Sequence, residues 1–273
     1  VDTVVAEKRV RLTATVIPAL MGITRYSYIL IATEGPSDPI LRELEAVPET
    51  CFVSALAGTF GADAEIRVTS DEHHESVLGR IRSIPGVASV ICNVYERILI
   101  NVDSPLPASG APALRVDAAD QAILFELERN GRASFRDLGD AANVAPSSAR
   151  NRLHRLLRHH AVKLVGLPVR DHQIGPPPLG LGMRVRGALT SDLISRIAAL
   201  GPEFLAVSSG TYDLISTASA ETPEELLATL DALHRIDEIS LVHAWSHLRI
   251  VKENYGITGL ERAIAGAAPL ARR

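Results

Sequence analysis

The chain has 273 residues, a formal net charge of −4, 47% apolar and 4% aromatic residues, and two cysteines. That length exceeds one average domain, so two or three modules are expected, with Ala, Val, Leu and Ile rather than rings filling their cores. No apolar run nears the roughly 20 residues of a membrane-spanning helix, the first twenty residues hold no charged-then-apolar leader, and Cys51 and Cys92 suit a reducing, cytoplasmic setting rather than a disulfide framework.

In chain order, Tyr26 to Thr33 has strand composition, and Pro39 to Val47 carries apolar residues at helical spacing. Cys51 to Ala57 reads as a strand, Gly58 to Gly61 as a turn, and Ala64 to Thr69 alternates as a strand does. Ser70 is placed to cap a helix reaching Ile84, which Pro85-Gly86 ends, and Val87 to Val102 is a long β-branched strand. The order βαββαβ is that of a ferredoxin-like unit. Asp103 to Pro112, rich in Pro, Ala, Ser and Gly, and His172 to Gly180, with three consecutive prolines, read as linkers.

Between the linkers the local charge reverses. From Arg129 to Arg170 nine Arg and Lys stand against Asp137 and Asp140, a net of +7, which is the electrostatic signature of a nucleic-acid module. Asp117 starts a first short helix with Ile123, Leu124 and Leu127 on one face. Ser134 starts a second, with Phe135, Leu138 and Ala142 expected to face inward. Asn143 to Ala145 is a tight turn, and Pro146 opens a third helix at its favoured first position. In that third helix Ala149, Leu153 and Leu156 form the inward stripe. Ser147, Ser148, Arg150, Asn151, Arg152, His154, Arg155 and Arg158 are left to meet double-stranded DNA in a major groove. Residues 162–170 read as a β-wing.

The segments outside the linkers repeat one another at an offset of 152, which lays Gly58-Thr59-Phe60 on Gly210-Thr211-Tyr212 and Val87 on Ile239. In the second copy strands are expected at 183–189, 204–209, 213–219 and 239–251, and helices at 191–200 and 222–235. The fold class is therefore α+β: two ferredoxin-like βαββαβ domains (1–103 and 180–252) flank an all-α winged helix-turn-helix domain (113–170), with a tail from 253 to 273.

The pattern Val116-Asp-x-x-Asp120, Ile123-Leu124, Leu127, Asn130-Gly131-Arg132-Ala-Ser134, Leu138, Val144-x-Pro146-Ser147, Arg150, Leu153, Leu156 resembles the helix-turn-helix of the leucine-responsive/asparagine-operon (Lrp/AsnC) regulators. The outer repeats resemble that family's amino-acid-sensing domain, whose marker Gly-Thr-Tyr-Asp is met by Gly210-Thr211-Tyr212-Asp213. Gly58-Thr59-Phe60 meets it more loosely, with its carboxylate displaced to Asp63. The resemblance implies a transcriptional regulator, not an enzyme, that forms homo-oligomers through its sensing domains. It implies a small effector, an amino acid, held by Gly58, Thr59 and Asp63 in one site and by Gly210, Thr211 and Asp213 in the other. Val90, Cys92, Val242 and Ala244 stand where the family often has threonines. Residues 1–12 resemble the tail of a recognition helix running into its wing, so the resemblance also implies a tandem protein whose first helix-turn-helix is missing.

Other readings have weaker support. His73-His74 and His159-His160 are adjacent pairs that make no chelating face, and His243 and His247 lack a third ligand, so no metal is expected and the histidines are expected to be solvated or half-buried. No phosphate loop or dinucleotide fingerprint is present, and no cofactor is expected. The enzyme alternative is a tetrapyrrole (siroheme) decarboxylase, of which Asn93-Val-Tyr95-Glu-Arg97 is a faint echo. A third is a sensing and oligomerisation protein without DNA binding.

Overall fold

The computed structural model describes residues 10–102, 114–168, 176–256 and 259. The first stretch contains β1 (Val10–Val16), a 3-10 turn (Pro18–Met21), β2 (Arg25–Thr33), α1 (Ser37–Ala46), β3 (Thr50–Ala57), β4 (Ala62–Val68), α2 (Asp71–Arg82) and β5 (Val87–Asn101). The second contains α3 (Ala118–Arg129), α4 (Phe135–Ala142), α5 (Pro146–Arg158) and β6 (Val162–Pro168). The third contains β7 (Leu179–Val185), α6 (Ser191–Ala198), β8 (Phe204–Ser209), β9 (Leu214–Ala218), α7 (Pro223–His234) and β10 (Ile239–Glu253). The offset of 152 carries β1 onto β6, α2 onto α7 and β5 onto β10 residue for residue.

Strands β2 to β5 form an antiparallel sheet in the order β3-β4-β2-β5, and β7 to β10 repeat it as β8-β9-β7-β10. The two sheets do not stand apart as separate domains. Edge strand β5 pairs with β8, and β10 pairs with β3, so the eight strands close into one barrel. The seams are equivalent: Val94 faces Ser209 in one, and Ser246 faces Ala57 in the other. Closure removes four sheet edges that would otherwise expose unpaired N–H and C=O groups.

The alternation along each strand explains the layers. In the first sheet Ile29, Ile31, Val53, Ala62, Ala64 and Ile66 point outward to α1 and α2, where Ile40, Leu41, Leu44, Val77 and Ile81 cover them. Leu181, Met183, Leu205 and Leu214 do the same under α6 and α7. The alternate positions turn into the barrel, where Tyr28, Leu30, Leu56 and Tyr95 meet Tyr212, Ile215 and Trp245. A sheet with large apolar side chains on both faces must bury both, and the second repeat supplies the inner cover.

Strand β7 begins four residues before the expected 183. Its Leu179-Gly-Leu-Gly start has linker composition, yet both glycines are required for space. A Cβ on Gly180 would lie 2.0 Å from Trp245 Nε1, and one on Gly182 would lie 2.7 Å from the Tyr212 ring. The remaining part of that proline-rich linker (172–175), the linker at 103–112, residues 1–9 and all of the tail beyond 256 except 259 lie outside the described residues.

The three central helices are not a purely α domain. Strand β1 pairs antiparallel with β6 along its whole length, from Val10 opposite Pro168 to Val16 opposite Val162. Ala14, Val16 and Ile23 thereby enter one core with Ile123, Leu124, Leu127, Leu138, Ala149, Leu153 and Leu156. Residues ahead of the barrel thus complete the helical unit, and the expected wing (162–170) is half of a two-stranded ribbon. Phe135, expected inside, keeps 39% of its surface exposed and lies edge-on to His154.

Candidate nucleic-acid interface and effector loops

The helix-turn-helix follows from local chemistry. Asp117 and Asp120 form a capping box at the start of α3, and Ser134 and Asp137 form another at the start of α4, satisfying amide groups that a helix start leaves bare. Asn143, left-handed at φ 52°, ends α4, and the turn then crosses Gly139 so closely that a Cβ there would lie 2.7 Å from Val144 O. Pro146 opens α5, whose N-cap residue Ala145 has no side-chain acceptor to offer the first amides of the helix.

On α5, Ala149, Leu153 and Leu156 are buried, as their spacing requires. Ser147, Arg150, Asn151, His154 and Arg158 are exposed and Ser148 is half-buried. Arg152 and Arg155 are placed differently from the outward position expected of them. Arg152 Nη1 lies 2.8 Å from both Asp117 Oδ2 and Asp120 Oδ1, and Arg155 Nη2 pairs with Asp120 Oδ2. Asp120 is fully buried. These two arginines clamp α5 to the start of α3 and are half-buried in doing so. The signal was present in the sequence: 152 and 155 flank the inward stripe, and the capping acids 117 and 120 supply their partners.

The two Gly-Thr loops are not equivalent. Gly58, at φ 121°, has open space where a Cβ would stand, and Thr59 is exposed. Gly210, at φ 133°, is pressed against β5 of the other repeat, where a Cβ would lie 2.5 Å from Cys92 O. The Tyr212 N–H donates to Asn93 Oδ1 at 3.0 Å, so one of the loop amides expected to meet an effector carboxylate already has an acceptor from β5. At the position equivalent to Asn93 the other seam has Trp245. Thr211 is exposed, and the half-buried Asp213 accepts from Val185 N–H at 2.8 Å with Arg184 3.6 Å away.

Asp63 departs furthest from its expected place beside Gly58 and Thr59. It is fully enclosed in the barrel, accepting from Ser54 Oγ at 2.6 Å and from the Tyr28 hydroxyl, with His247 Nδ1 at 3.3 Å. Burial raises its carboxyl above the ordinary range, opposed by His247 and by the two hydroxyls. With those partners it is not open to an effector ammonium group. Inward-facing Glu65 and Arg67 continue the same strand, 3.1 Å apart, with Tyr255 and Tyr26 against the guanidinium. This buried charged row was hidden by the alternation that identified the strand.

His73, His74 and His247 are more buried than expected, whereas His159 and His160 are exposed and His243 is half-buried. His73 Nε2 lies 2.9 Å from Glu49 Oε1, and His74 Nε2 lies 2.7 Å from Ser27 Oγ. Among the described residues no three His, Cys, Asp or Glu side chains gather as a metal site, and no helix is long and apolar enough to cross a membrane.

Comparison with known proteins agrees with the geometry of the central unit. Residues 116–157 match the AsnC-type helix-turn-helix domain. The HTH-type transcriptional regulator FL11 of Pyrococcus furiosus is 24% identical over 141 residues, covering 50% of this chain and 93% of that protein. Its namesake from Pyrococcus horikoshii is likewise 24% identical over 141 residues, with the same coverage. The crystal structure of the siroheme decarboxylase NirDL superposes with a TM-score of 0.69 at 11% identity, covering 99% of this chain and 87% of that one, a likeness of fold. Residues 116–157 are therefore identified as an AsnC-type helix-turn-helix domain, the DNA-binding module of this chain.

Proposed function

We propose that the chain is a sequence-specific DNA-binding regulator whose helix α5 enters a major groove, with the barrel halves acting as two ferredoxin-like sensing domains. The observation that carries this reading is the sorting of polar residues on α5. Ser147, Arg150, Asn151, His154 and Arg158 lie exposed along one face, while Arg152 and Arg155 hold the helix in place. Short polar groups near the helix start suit base edges and phosphates, and arginines further along suit the phosphate backbone. The protein works in the cytoplasm as a homo-oligomer, whose paired modules read spaced half-sites. The effector is a small molecule, an amino acid, at the Gly-Thr loops; of the two, the open loop at Gly58 and Thr59 is the more accessible. Selection of duplexes from a random library should enrich one sequence, and Arg150→Ala with Arg158→Ala should abolish its retention without changing the assembly size. Failure to enrich any sequence would refute the reading.

The fold likeness to NirDL raises a siroheme-decarboxylating enzyme as a second reading. Against it, Asn93 is buried and bonded to the Tyr212 amide, Tyr95 lies inside the barrel, and Arg97 points out to solvent. The barrel cavity beside Tyr95 measures about 60 Å³, whereas clefts that take drug-sized ligands measure roughly 300 Å³ or more. Absorbance changes on adding siroheme would revive the enzyme.

A further inference from the structure

One end of the barrel opens into the cavity of about 60 Å³, whose lining carries more carboxylates than basic groups: His247 lines it, and the Arg67 guanidinium lies behind the Tyr255 ring. Three carboxylates line it, Glu65, Glu203 and Glu253, and among the described residues no lysine or arginine does. Five rings complete it: Tyr28, Phe52, Tyr95, Phe204 and Tyr255. The cavity straddles the relation between the repeats, because Phe52 and Phe204, Tyr95 and His247, and Asn101 and Glu253 are equivalent positions at the offset of 152. The lining therefore draws on both repeats.

From this lining we infer that the barrel mouth is a binding site for a small organic cation, a primary ammonium or guanidinium group, anchored by Glu203 and enclosed by ring faces. Aromatic faces and carboxylates both attract cations, and the attraction grows as water is excluded. With Arg67 already paired to Glu65, the other two carboxylates, Glu203 and Glu253, repel an anion, and a neutral apolar group would strip water from them without replacing it. Glu65 is already paired with Arg67, so it shapes the field and does not anchor. Glu203 makes no side-chain ion pair among the described residues, and its backbone is fixed by the Glu203 N–H donating to Thr217 O at 3.0 Å. Burial first, and then neighbouring carboxylates, push Tyr28, Tyr95 and Tyr255 above the usual phenol range, with Arg67 opposing the shift at Tyr95 and Tyr255. The enclosed volume admits the charged head, and the mouth leaves room for an attached chain.

The site carries its own reporter. Trp245, the one tryptophan of the chain, is buried and donates from Nε1 to the Tyr28 hydroxyl at 2.8 Å, one residue from the cavity. Fluorescence of the full chain is titrated with ethylammonium and with methylguanidinium chloride at constant ionic strength, alongside the neutral propanol and methylurea. Expected are a saturable change with the two cations, one site per chain, and affinity about tenfold or more weaker in Glu203→Gln. Glu43→Gln, on the exposed face of α1, should bind as the parent does. Thr217→Lys, which places an ammonium group in the cavity, should abolish binding. If Glu203→Gln fails to fold by circular dichroism, Thr217→Lys decides. A response no larger than that to sodium chloride, an equal response to the neutral analogues, or undiminished binding by the variants would overturn the site. Gly256, next to Tyr255, lies against Glu128 of α3; control of DNA binding from this site rests on the regulator reading, whereas occupancy is measured without DNA.

Discussion

Whether an arginine on α5 is a clamp or a DNA contact can be read from salt dependence. Asp120→Ala removes a fully buried carboxylate that holds Arg152 Nη1 at 2.8 Å, Arg155, and the Asp117 N–H at 3.2 Å. Charge-assisted hydrogen bonds contribute about 1.5–3 kcal/mol each. The two arginine side chains keep 28% and 37% of their exposure, so rehydration returns part of that. The net loss for the two ion pairs is roughly 1.5–3 kcal/mol after halving, and losing the reciprocal cap adds about 0.5–1 kcal/mol. The urea midpoint of the helical unit should fall accordingly. DNA affinity should fall with it, while the slope of log K against log salt stays unchanged, because no phosphate contact has been removed. Arg150→Ala should do the reverse. Each phosphate contact contributes about 0.9 to the slope, so the slope should flatten by about that amount and affinity at 0.1 M salt drop about tenfold, with stability intact. The reasoning is refuted if Arg155→Gln flattens the slope as Arg150→Ala does, or if Asp120→Ala tightens DNA binding with a steeper slope. Either result would make the clamped arginines phosphate contacts.

Three further outcomes follow from the barrel. Gly210→Ala should cost more than Gly58→Ala by about 1 kcal/mol or more in urea denaturation. Both are strained at positive φ, but only the first drives a Cβ into the Cys92 carbonyl; equal losses would contradict the tight seam. Gly180→Ala should push Trp245 off its bond to Tyr28 and shift its emission to the red, since a Cβ there reaches 2.0 Å from Nε1; unchanged emission would mean that the ring has room. Asp63→Asn should change how stability depends on pH. Burial raises the folded carboxyl above its unfolded value, so the folded state holds a proton that the unfolded state has released. The parent should therefore lose stability as pH rises from the ordinary carboxylate range through that raised value, and the Asn variant should lack this step. Urea midpoints measured between acid and neutral pH decide it, and parallel curves would contradict the burial argument.

Most elements of the barrel were legible in the sequence because alternation and helical spacing are local signals, and the repeat doubled each of them. Closure of the barrel was not, because it is a statement about edges. Nothing in β5 alone says that Val94 will face Ser209 rather than solvent. The glycine-rich start of β7 was misread for a related reason. Gly180 and Gly182 resemble a linker until Trp245 and Tyr212, 65 and 30 residues further along the chain, are known to need the space. The pairing of β1 with β6 was foreshadowed by the alignment of residues 10–12 with 162–164, but equivalence under a repeat does not announce contact.

The candidate sites divide along the same line. On α5 one helix decides which residues face out, so Ser147, Arg150, Asn151, His154 and Arg158 could be found by spacing. Arg152 and Arg155 could not be settled that way, since their partners sit on another helix 32 to 35 residues earlier. In the barrel the charged row Asp63, Glu65 and Arg67 occupies positions where the second repeat has Ile215, Thr217 and Ser219. Two copies of one unit that meet across a shared interior need not divide its chemistry equally. One copy can supply the charges while the other supplies Trp245 and His247, which answer Tyr28 and Asp63 across the β10–β3 seam. A fused chain can keep such an asymmetry, whereas two identical subunits would present every substitution twice. That is the physical reason the barrel interior, like the two Gly-Thr loops, holds features that differ from one half to the other.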